Sequence, residues 1–242
     1  LQDTQGSRWR GAKLKIGVIG DDPAGPVLAK AWAAAGHELV GVFVESKEAI
    51  ERIEALLPDT PIANMAAVAE DADLVLLAVP SADIEITCAG LADLGLFGPK
   101  KIVVHLSPLL GYTVLADAAR FGAIPIALHP VMHFTGTTMD LTVLKNTSIA
   151  ISAPAVLEPI AQALAIELGA EPVLVTEEQR AAYAEAFEVA SSFSSMVVKQ
   201  ALGILNEASV PNPARLIAPV VRSAVETALA EPVGKIDPKD VL

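Results

Sequence analysis

The segment Leu14 to Gly25 reads Leu-Lys-Ile-Gly-Val-Ile-Gly-Asp-Asp-Pro-Ala-Gly, and it predicts how the fold begins. A short apolar run at Ile16, Val18 and Ile19 leads into a glycine turn. Apolar residues at helical spacing follow, up to Gly36. A strand, a glycine turn and a helix in this order are typical of the first half of a dinucleotide-binding domain.

The glycine turn departs from the G-x-G-x-x-G pattern at its second position. Gly20 and Gly25 fit the first and third glycines, but Asp22 stands at the second and Asp21 precedes it. A carboxylate about 4 Å from a phosphate is repelled by about 4 kcal/mol at an effective permittivity near 20. Either Asp22 caps the helix, with Pro23 at its first position, and fills the anion site at the helix N-terminus, or a cofactor binds in a shifted pose that tolerates both acids.

Composition limits the class of protein. The chain has 242 residues, of which 52% are hydrophobic, which fits one to two domains. It has no uncharged apolar stretch of about 18 residues, so no transmembrane helix is expected. The net charge of -12 argues against nucleic acid and anionic membranes as partners. The single cysteine, Cys88, excludes an internal disulfide, and we expect a cytoplasmic location.

Strand and helix patterns alternate from Leu14 to Val175, which predicts a doubly wound parallel sheet. A long helix is predicted from Thr176 to Asn206, with Thr176 and Gln179 as a capping box, and a second helix at about 214–230. After the first strand, further strands are predicted at 38–45, 61–63, 73–80, 101–108, 123–130, 147–152 and 172–175.

The change of pattern near Thr176 predicts the domain organisation. We expect a flexible leader at 1–13, a dinucleotide-binding-type domain at 14–176, and a smaller all-helical domain at 177–242. The long helix is too apolar for one buried face. It is therefore expected to pack against a partner subunit or, alternatively, within one chain.

Five segments of the chain carry a family resemblance: 35–40, 72–80, 103–107, 128–137 and 213–222. Together they resemble the 6-phosphogluconate-dehydrogenase-like superfamily, and within it the Rossmann-like DUF2520 oxidoreductases. The resemblance implies an NAD(P)-dependent reductase whose helical C-terminal domain serves dimerisation and substrate binding. Some members resemble ketopantoate reductases.

Cofactor contacts are expected at the turn (Gly20, Asp22 and Gly25) and after two further strands. Glu45 lies twenty positions after Gly25, where an acid binds ribose hydroxyls and favours NAD over NADP. Ser46 and Lys47 argue for a 2′-phosphate instead, and a solvated loop acid is a third interpretation. The resemblance also places Val79 and Pro80 beside the nicotinamide ribose, although Ser81 can simply begin a helix there.

Four polar residues follow strand ends at the expected ligand edge: His105, Ser107, His129 and His133. A histidine there can protonate a carbonyl oxygen during hydride transfer. We take His129 and Ser107 as catalytic candidates, and His105 and His133 as substrate contacts. The alternative for each histidine is a hydrogen bond to the loop backbone. Their spacing does not match a zinc motif, so no metal is expected.

The helical domain supplies the remaining candidates. The resemblance places a lysine and an asparagine toward the substrate, which makes Lys199 a catalytic candidate, whereas Ser192 stands where relatives carry an asparagine. Arg215 and Arg222, seven residues apart, can grip a substrate carboxylate. Surface ion pairing is the alternative for both arginines.

The sequence leaves two functions open. The first is an NAD(P)-dependent oxidoreductase that reduces a small oxo-acid and forms a homodimer through its C-terminal helices. The second is a degenerate, non-catalytic Rossmann scaffold that acts as a dimeric binding or regulatory protein. Asp21, Asp22 and Ser192 favour the scaffold, because they depart from the expected cofactor and substrate positions. The histidines and arginines favour the enzyme.

Overall fold

A seven-stranded sheet forms the centre of the computed structural model, which describes residues 13–230. The strands are β1 (Lys15–Ile19), β2 (Glu38–Phe43), β3 (Leu74–Leu77), β4 (Ile102–His105), β5 (Ile124–Pro130), β6 (Ser148–Ser152) and β7 (Glu171–Leu174). Their order in the sheet is β2-β1-β3-β4-β5-β6-β7. The predicted leader, apart from Lys13, lies outside the described residues.

The sheet is parallel only over its first five strands. β6 pairs antiparallel with β5, and β7 runs parallel to β6. The connection from β5 to β6 contains only the short helix α6 (Asp140–Leu144), whereas a parallel crossover needs an element that returns the chain along the whole strand. The predicted doubly wound parallel sheet is therefore confirmed for β1 to β5, while β6 and β7 run in the opposite direction. The strand predicted at 61–63 is reduced to a single bridge between Ile62 and Val42.

Helices cover both faces of the sheet, as the doubly wound fold requires. One face packs against α1 (Ala24–Ala34), α2 (Lys47–Leu56) and α7 (Glu158–Glu167). The other packs against α3 (Met65–Asp71), α4 (Ile84–Asp93) and α5 (Ala116–Arg120). Trp32 of α1 is fully buried, and its indole N–H donates to the carbonyl oxygen of Leu164 in α7 at 3.0 Å. That bond joins two helices on the same face.

The helical part consists of α8 (Arg180–Glu188), a π-helical turn (Val189–Phe193), α9 (Ser194–Glu207) and α10 (Pro213–Ala230). The predicted long helix thus begins four residues later than expected. Thr176 N–H donates to Gln179 Oε1 at 3.1 Å, which is one half of the predicted capping box. Contacts divide the chain into two compact units between Ala184 and Glu185. Within residues 13–230, no helix is long and apolar enough to cross a membrane.

Candidate functional site

Four parallel strands end at one edge of the sheet. The register aligns Ile19 of β1 with Leu77 of β3, Leu77 with His105 of β4, and His105 with Ala127 of β5. Residues just beyond these positions therefore meet at the same edge. Ligands of open α/β sheets bind at the carboxyl ends of the strands. Four candidates follow these strands, namely Gly20, Val79, Pro80 and Ser107, and His129 lies next to the last residue of β5.

Both glycines of the turn are required by its geometry. Gly20 has φ of 117°, and a Cβ there would collide with the carbonyl oxygen of Ala78. A Cβ on Gly25 would lie 2.8 Å from the Cβ of Ala78 and 3.0 Å from Cγ1 of Val18. Gly20 thus allows a tight turn and Gly25 allows α1 to pack closely on the sheet, which are the demands on the first and third positions.

Asp22 turns its carboxylate back onto α1. Its Oδ1 accepts a hydrogen bond from the N–H of Ala24 at 2.8 Å, and its side chain is exposed. The N-cap residue itself is Pro23, with φ of -61° and ψ of -20°, so the cap lies one residue later than predicted. A carboxylate nevertheless occupies the amide at the helix N-terminus, where anions are favoured.

Asp21 connects the glycine turn to the end of β2. Its Oδ1 and Oδ2 accept from the N–H groups of Glu45 and Ser46, each at 2.9 Å. Arg52 Nη1 donates to the Asp21 carbonyl oxygen at 2.9 Å. Burial raises the pKa of the Asp21 carboxyl, but the amide bonds and the Arg52 charge outweigh it, and the net pKa lies below its usual value. Asp21 is thus held as an anion at the loop where Glu45 was predicted to bind ribose.

His105, the last residue of β4, is buried beneath the carboxyl-end edge of the sheet and does not reach its surface. It has no exposed surface. Its Nδ1 accepts from the N–H of Ser107 at 3.2 Å, so Nε2 carries the proton and donates to the carbonyl oxygen of Gly111 at 3.0 Å. Burial lowers its pKa to about 4. The predicted substrate contact is therefore replaced by a structural role, because both ring nitrogens are engaged with backbone.

Ser107 joins the loops that follow β3 and β4. Its hydroxyl lies 2.7 Å from the hydroxyl of Ser81 and accepts from the N–H of Leu109 at 3.0 Å. Ser107 is 5% exposed. The catalytic role of Ser107 stays a prediction. Its observed hydrogen bonds connect the two loops at the carboxyl ends of β3 and β4.

His129 pairs with a residue that the sequence did not single out. Its Nδ1 lies 2.6 Å from the phenol oxygen of Tyr183, and the two rings are 5.9 Å apart in an edge-to-face arrangement. Burial, the nearby Arg180 charge and His105 lower the pKa of His129 to about 4. Burial raises the pKa of Tyr183, although Arg180 opposes that shift. A neutral imidazole and a protonated phenol therefore share this hydrogen bond at neutral pH.

Arg180 lies one helical turn before Tyr183 and is 5% exposed. Its guanidinium carbon is 5.4 Å from the centre of the Tyr183 ring. All three of its side-chain nitrogens are buried, and none has a hydrogen-bond partner among the described residues. Burial lowers its pKa, which the charge of Glu177 partly opposes. Arg180 is thus a buried cation with no bonded anion within residues 13–230.

Glu177 does not satisfy Arg180, because its carboxylate is committed elsewhere. Oε1 accepts from the N–H of Tyr112 and from the hydroxyl of Ser152, each at 2.9 Å. Oε2 accepts from the hydroxyl of Thr113 at 2.8 Å. Glu177 therefore fastens the start of α8 to the sheet and to the loop after β4.

These residues form a buried polar cluster on one face of the sheet. Within residues 13–230, seven polar or charged residues are buried, and five belong to this region. They are His105, Ser107, His129, Ser152 and Arg180. Buried polar groups cost free energy unless they are hydrogen-bonded, so their concentration at the strand ends marks the candidate site.

Sequence reasoning missed Arg180 and Tyr183 because the start of a helix after a strand is normally solvated. One signal was present: residues three apart share a helix face, and two alanines separate this pair. That spacing places a cation and a phenol side by side, but it does not show that the face is buried.

The loop after β5 is folded by Asp140, which is 3% exposed. Asp140 Oδ2 accepts from the N–H groups of Thr135 and Gly136 at 2.9 and 2.8 Å. A Cβ on Gly136 would lie 3.1 Å from the Cβ of Pro23, so the loop packs against the start of α1. His133 in this loop is exposed, and its predicted substrate contact stays a prediction.

The candidates in the second unit are all exposed. Lys199 lies on α9, Arg215 and Arg222 lie on α10, and Ser192 lies in the π-helical turn. Their predicted roles stay predictions. In the part of the chain that the structure describes, no group of three His, Cys, Asp or Glu residues is placed to hold a metal ion.

Two family models match the chain: a Rossmann-like domain over residues 2–130 and a domain of unknown function, DUF2520, over residues 147–236. Together with the strand-end site, they define a two-part protein with a dinucleotide-binding-type fold. The Rossmann-like model covers more than half of the chain, so the chain belongs to the Rossmann-like domain family, and a DUF2520 domain follows in the same chain. No curated protein matches it in sequence.

Solved structures share the fold. A candidate NADP oxidoreductase from Bacteroides fragilis is 18% identical with a TM-score of 0.73, over 95% of this chain and 84% of that one. An imine reductase variant from Myxococcus stipitatus, in complex with NAD+, is 21% identical with a TM-score of 0.61, over 90% and 76%. A pyrroline-5-carboxylate reductase from Coxiella burnetii is 14% identical with a TM-score of 0.61, over 92% and 82%.

Proposed function

We propose that the protein is an NAD(P)-dependent oxidoreductase that reduces a small oxo-acid to a hydroxy acid. The observation that carries the proposal is the His129–Tyr183 hydrogen bond of 2.6 Å at the carboxyl end of β5. A proton donor in this position lies at the edge where such folds bind their ligands. The NADP oxidoreductase and the NAD+-bound imine reductase that share the fold support the same class of reaction.

The glycine turn fits a dinucleotide at two of its three glycine positions. Gly20 and Gly25 would hold the pyrophosphate near the start of α1, and a bound nicotinamide supplies the hydride. The carboxylate of Asp22 must rotate away from Ala24 to admit a phosphate. The free-energy cost of that rotation is small, because Asp22 is exposed and loses one hydrogen bond of about 1 kcal/mol.

Asp21 favours NAD over NADP in this proposal. Its anionic carboxylate occupies the N–H groups of Glu45 and Ser46, at the end of β2. A 2′-phosphate belongs near this strand end in dinucleotide-binding folds. The 2′-phosphate and the Asp21 carboxylate, both negative, would then lie at the same loop and repel each other. The N–H groups of Glu45 and Ser46 could not bind the phosphate, because they already donate to Asp21.

Tyr183 is the proposed proton donor. Reduction of a carbonyl adds a hydride to carbon and a proton to oxygen, and the proton comes from the Tyr183 phenol. The Arg180 charge, with its guanidinium carbon 5.4 Å from the ring centre, stabilises the phenolate left behind. His129, hydrogen-bonded to the phenol, positions the hydroxyl and passes a proton back to it.

Steady-state assay of NADH oxidation tests the proposal, using a panel of 2-oxo acids and, because an imine reductase shares the fold, cyclic imines. Tyr183→Phe should lower kcat at least about 100-fold on the best substrate and leave the dissociation constant of NADH unchanged. An unchanged kcat in this variant would remove Tyr183 from the mechanism. The absence of turnover with every oxo-acid and imine would count against the enzyme itself.

One observation favours the scaffold instead. The bond from Ala24 N–H to Asp22 places the protein's own carboxylate where a pyrophosphate would bind. A protein that never binds a dinucleotide would have this self-closed turn permanently. Direct titration with NADH separates the two functions.

We also propose a homodimer formed through the second unit. Of the described residues in that unit, 185–230, none is buried. Nine large apolar side chains there are at least half exposed: Val189, Phe193, Met196, Val197, Ile204, Leu216, Val220, Val225 and Leu229. Apolar surface on this scale is typical of an interface.

A further inference from the structure

We propose that Arg180 anchors the carboxylate of the substrate, and that it is the anion-binding residue of the buried cluster. The inference rests on the proposed function for the identity of that substrate, a small 2-oxo acid. It replaces Arg215 and Arg222, which are exposed on α10, as the carboxylate-binding residue. The first supporting observation is that Arg180 Nε, Nη1 and Nη2 are all buried and have no hydrogen-bond partner among the described residues.

A buried guanidinium without a hydrogen-bond partner is unusual, because it loses its hydration and here regains only the contact with the Tyr183 ring. Most buried arginines are paired with a carboxylate or bonded to carbonyl oxygens. The nearest acid in sequence, Glu177, accepts from Tyr112, Ser152 and Thr113 instead. The Arg180 guanidinium therefore has no anion bonded to it among the described residues, and a bound ligand can supply one.

The neighbours of Arg180 define where the anion binds. Tyr183 lies against the guanidinium, and Tyr183 is hydrogen-bonded to His129 on β5. Both are uncharged at neutral pH, so neither repels nor neutralises a bound carboxylate. In a 2-oxo acid the carbonyl is adjacent to the carboxylate. A carboxylate on Arg180 thus brings the carbonyl toward the phenol of Tyr183.

A phosphate of the dinucleotide is a poor alternative ligand for Arg180. The glycine turn follows β1, whereas His129 belongs to β5, and the sheet order separates these strands by three steps. At about 4.8 Å a step, the two sites are roughly 14 Å apart. Arginine also suits a carboxylate, because its planar fork can donate two parallel hydrogen bonds.

Thermal unfolding of the full chain without any nicotinamide cofactor tests this inference separately from the proposed function. The probe is pyruvate, which carries the carboxylate and the carbonyl with little else to fit. Saturating pyruvate should raise the Tm of the natural protein by about 3 °C. Arg180→Met should keep or raise the Tm of the unliganded protein, since an unpaired buried charge is replaced by a side chain of similar length. It should also lose the response to pyruvate.

Two comparisons sharpen the test. Arg180→Lys retains the charge but not the fork, and should weaken pyruvate binding at least about tenfold. Arg215→Met removes an exposed arginine and should leave the pyruvate response unchanged. An equal response in the natural protein and Arg180→Met would overturn the inference, as would a response to inorganic phosphate without one to pyruvate. A protein that binds pyruvate but not NADH would support the anion site while refuting the oxidoreductase.

Discussion

Asp21 and Asp22 are neighbours in the sequence, but their carboxylates accept hydrogen bonds in different parts of the fold. Asp21 bonds to the N–H groups of Glu45 and Ser46 beyond β2, and Asp22 bonds to the N–H of Ala24 in α1. The two acids therefore have separable effects. Asp21 holds two loops together, whereas Asp22 competes with a ligand at the helix N-terminus.

Replacing Asp21 should destabilise the protein. Asp21→Asn leaves one acceptor oxygen for two amide donors, so we expect a loss of about 1–2 kcal/mol in the free energy of unfolding, measured by urea denaturation. Asp59→Asn, at an exposed acid in the loop after α2, is the matched control and should change stability by less than about 0.5 kcal/mol. Equal stability of both variants would show that the Asp21 bonds contribute nothing.

Gly20 and Gly36 offer a paired test of the turn. Both have positive φ, 117° and 109°, but a Cβ on Gly20 meets the Ala78 carbonyl, whereas one on Gly36 meets nothing within 4 Å. Gly36→Ala should cost about 1–2 kcal/mol from backbone strain alone. Gly20→Ala should cost at least about 2 kcal/mol more, because the turn or β3 must move. Similar losses in the two variants, by thermal or urea unfolding, would contradict the close approach of Gly20 to β3.

The two buried histidines predict an acid-sensitive fold. Burial lowers the pKa of His105 and of His129 from 6.5 to about 4. The unfolded chain therefore binds more protons than the folded one between about pH 6.5 and 4, so stability falls as the pH is lowered through that window. Between pH 7 and pH 4.5 we expect a loss of about 2 kcal/mol for each histidine.

Urea unfolding at these two pH values, with two variants, checks the assignment. His105→Asn should remove about half of the difference, and His133→Asn, at an exposed histidine, should leave it unchanged. If the free energy of unfolding of His105→Asn falls between pH 7 and pH 4.5 as much as that of the natural protein, groups other than His105 cause the acid sensitivity.

The apolar second unit predicts self-association. Analytical ultracentrifugation should find a dimer for the natural chain. Val197→Glu puts a charge on an α9 side chain that is 61% exposed, and should shift the protein to monomer. Gln200→Glu adds the same charge at a polar position of α9 and should leave the dimer intact. A monomeric natural protein would refute the proposed interface.

The first five strands follow from the sequence, because apolar runs and glycine turns are local signals. The reversal at β6 does not, since Ile149 and Ile151 make an equally buried strand in either direction. What decides direction is the short α6 connection, which has no strong apolar periodicity. The alignment of β1, β3, β4 and β5 at one edge was also predicted from the sequence, whereas the role of His129 at that edge stays a prediction. Tyr183 is 54 residues away from its partner His129, and Glu45 is 24 residues away from its partner Asp21. Both pairs are brought together by tertiary contacts, which no local sequence pattern predicts.

Titration of the natural protein and Asp22→Gly with NADH, followed by nicotinamide fluorescence, tests whether a dinucleotide binds at the glycine turn. We expect saturable binding by the natural protein in the micromolar range. We expect binding about tenfold tighter by Asp22→Gly, because the carboxylate no longer has to leave the helix N-terminus. If the natural protein does not bind NADH and Asp22→Gly does, the turn is closed by its own carboxylate, and the protein is a scaffold rather than an oxidoreductase.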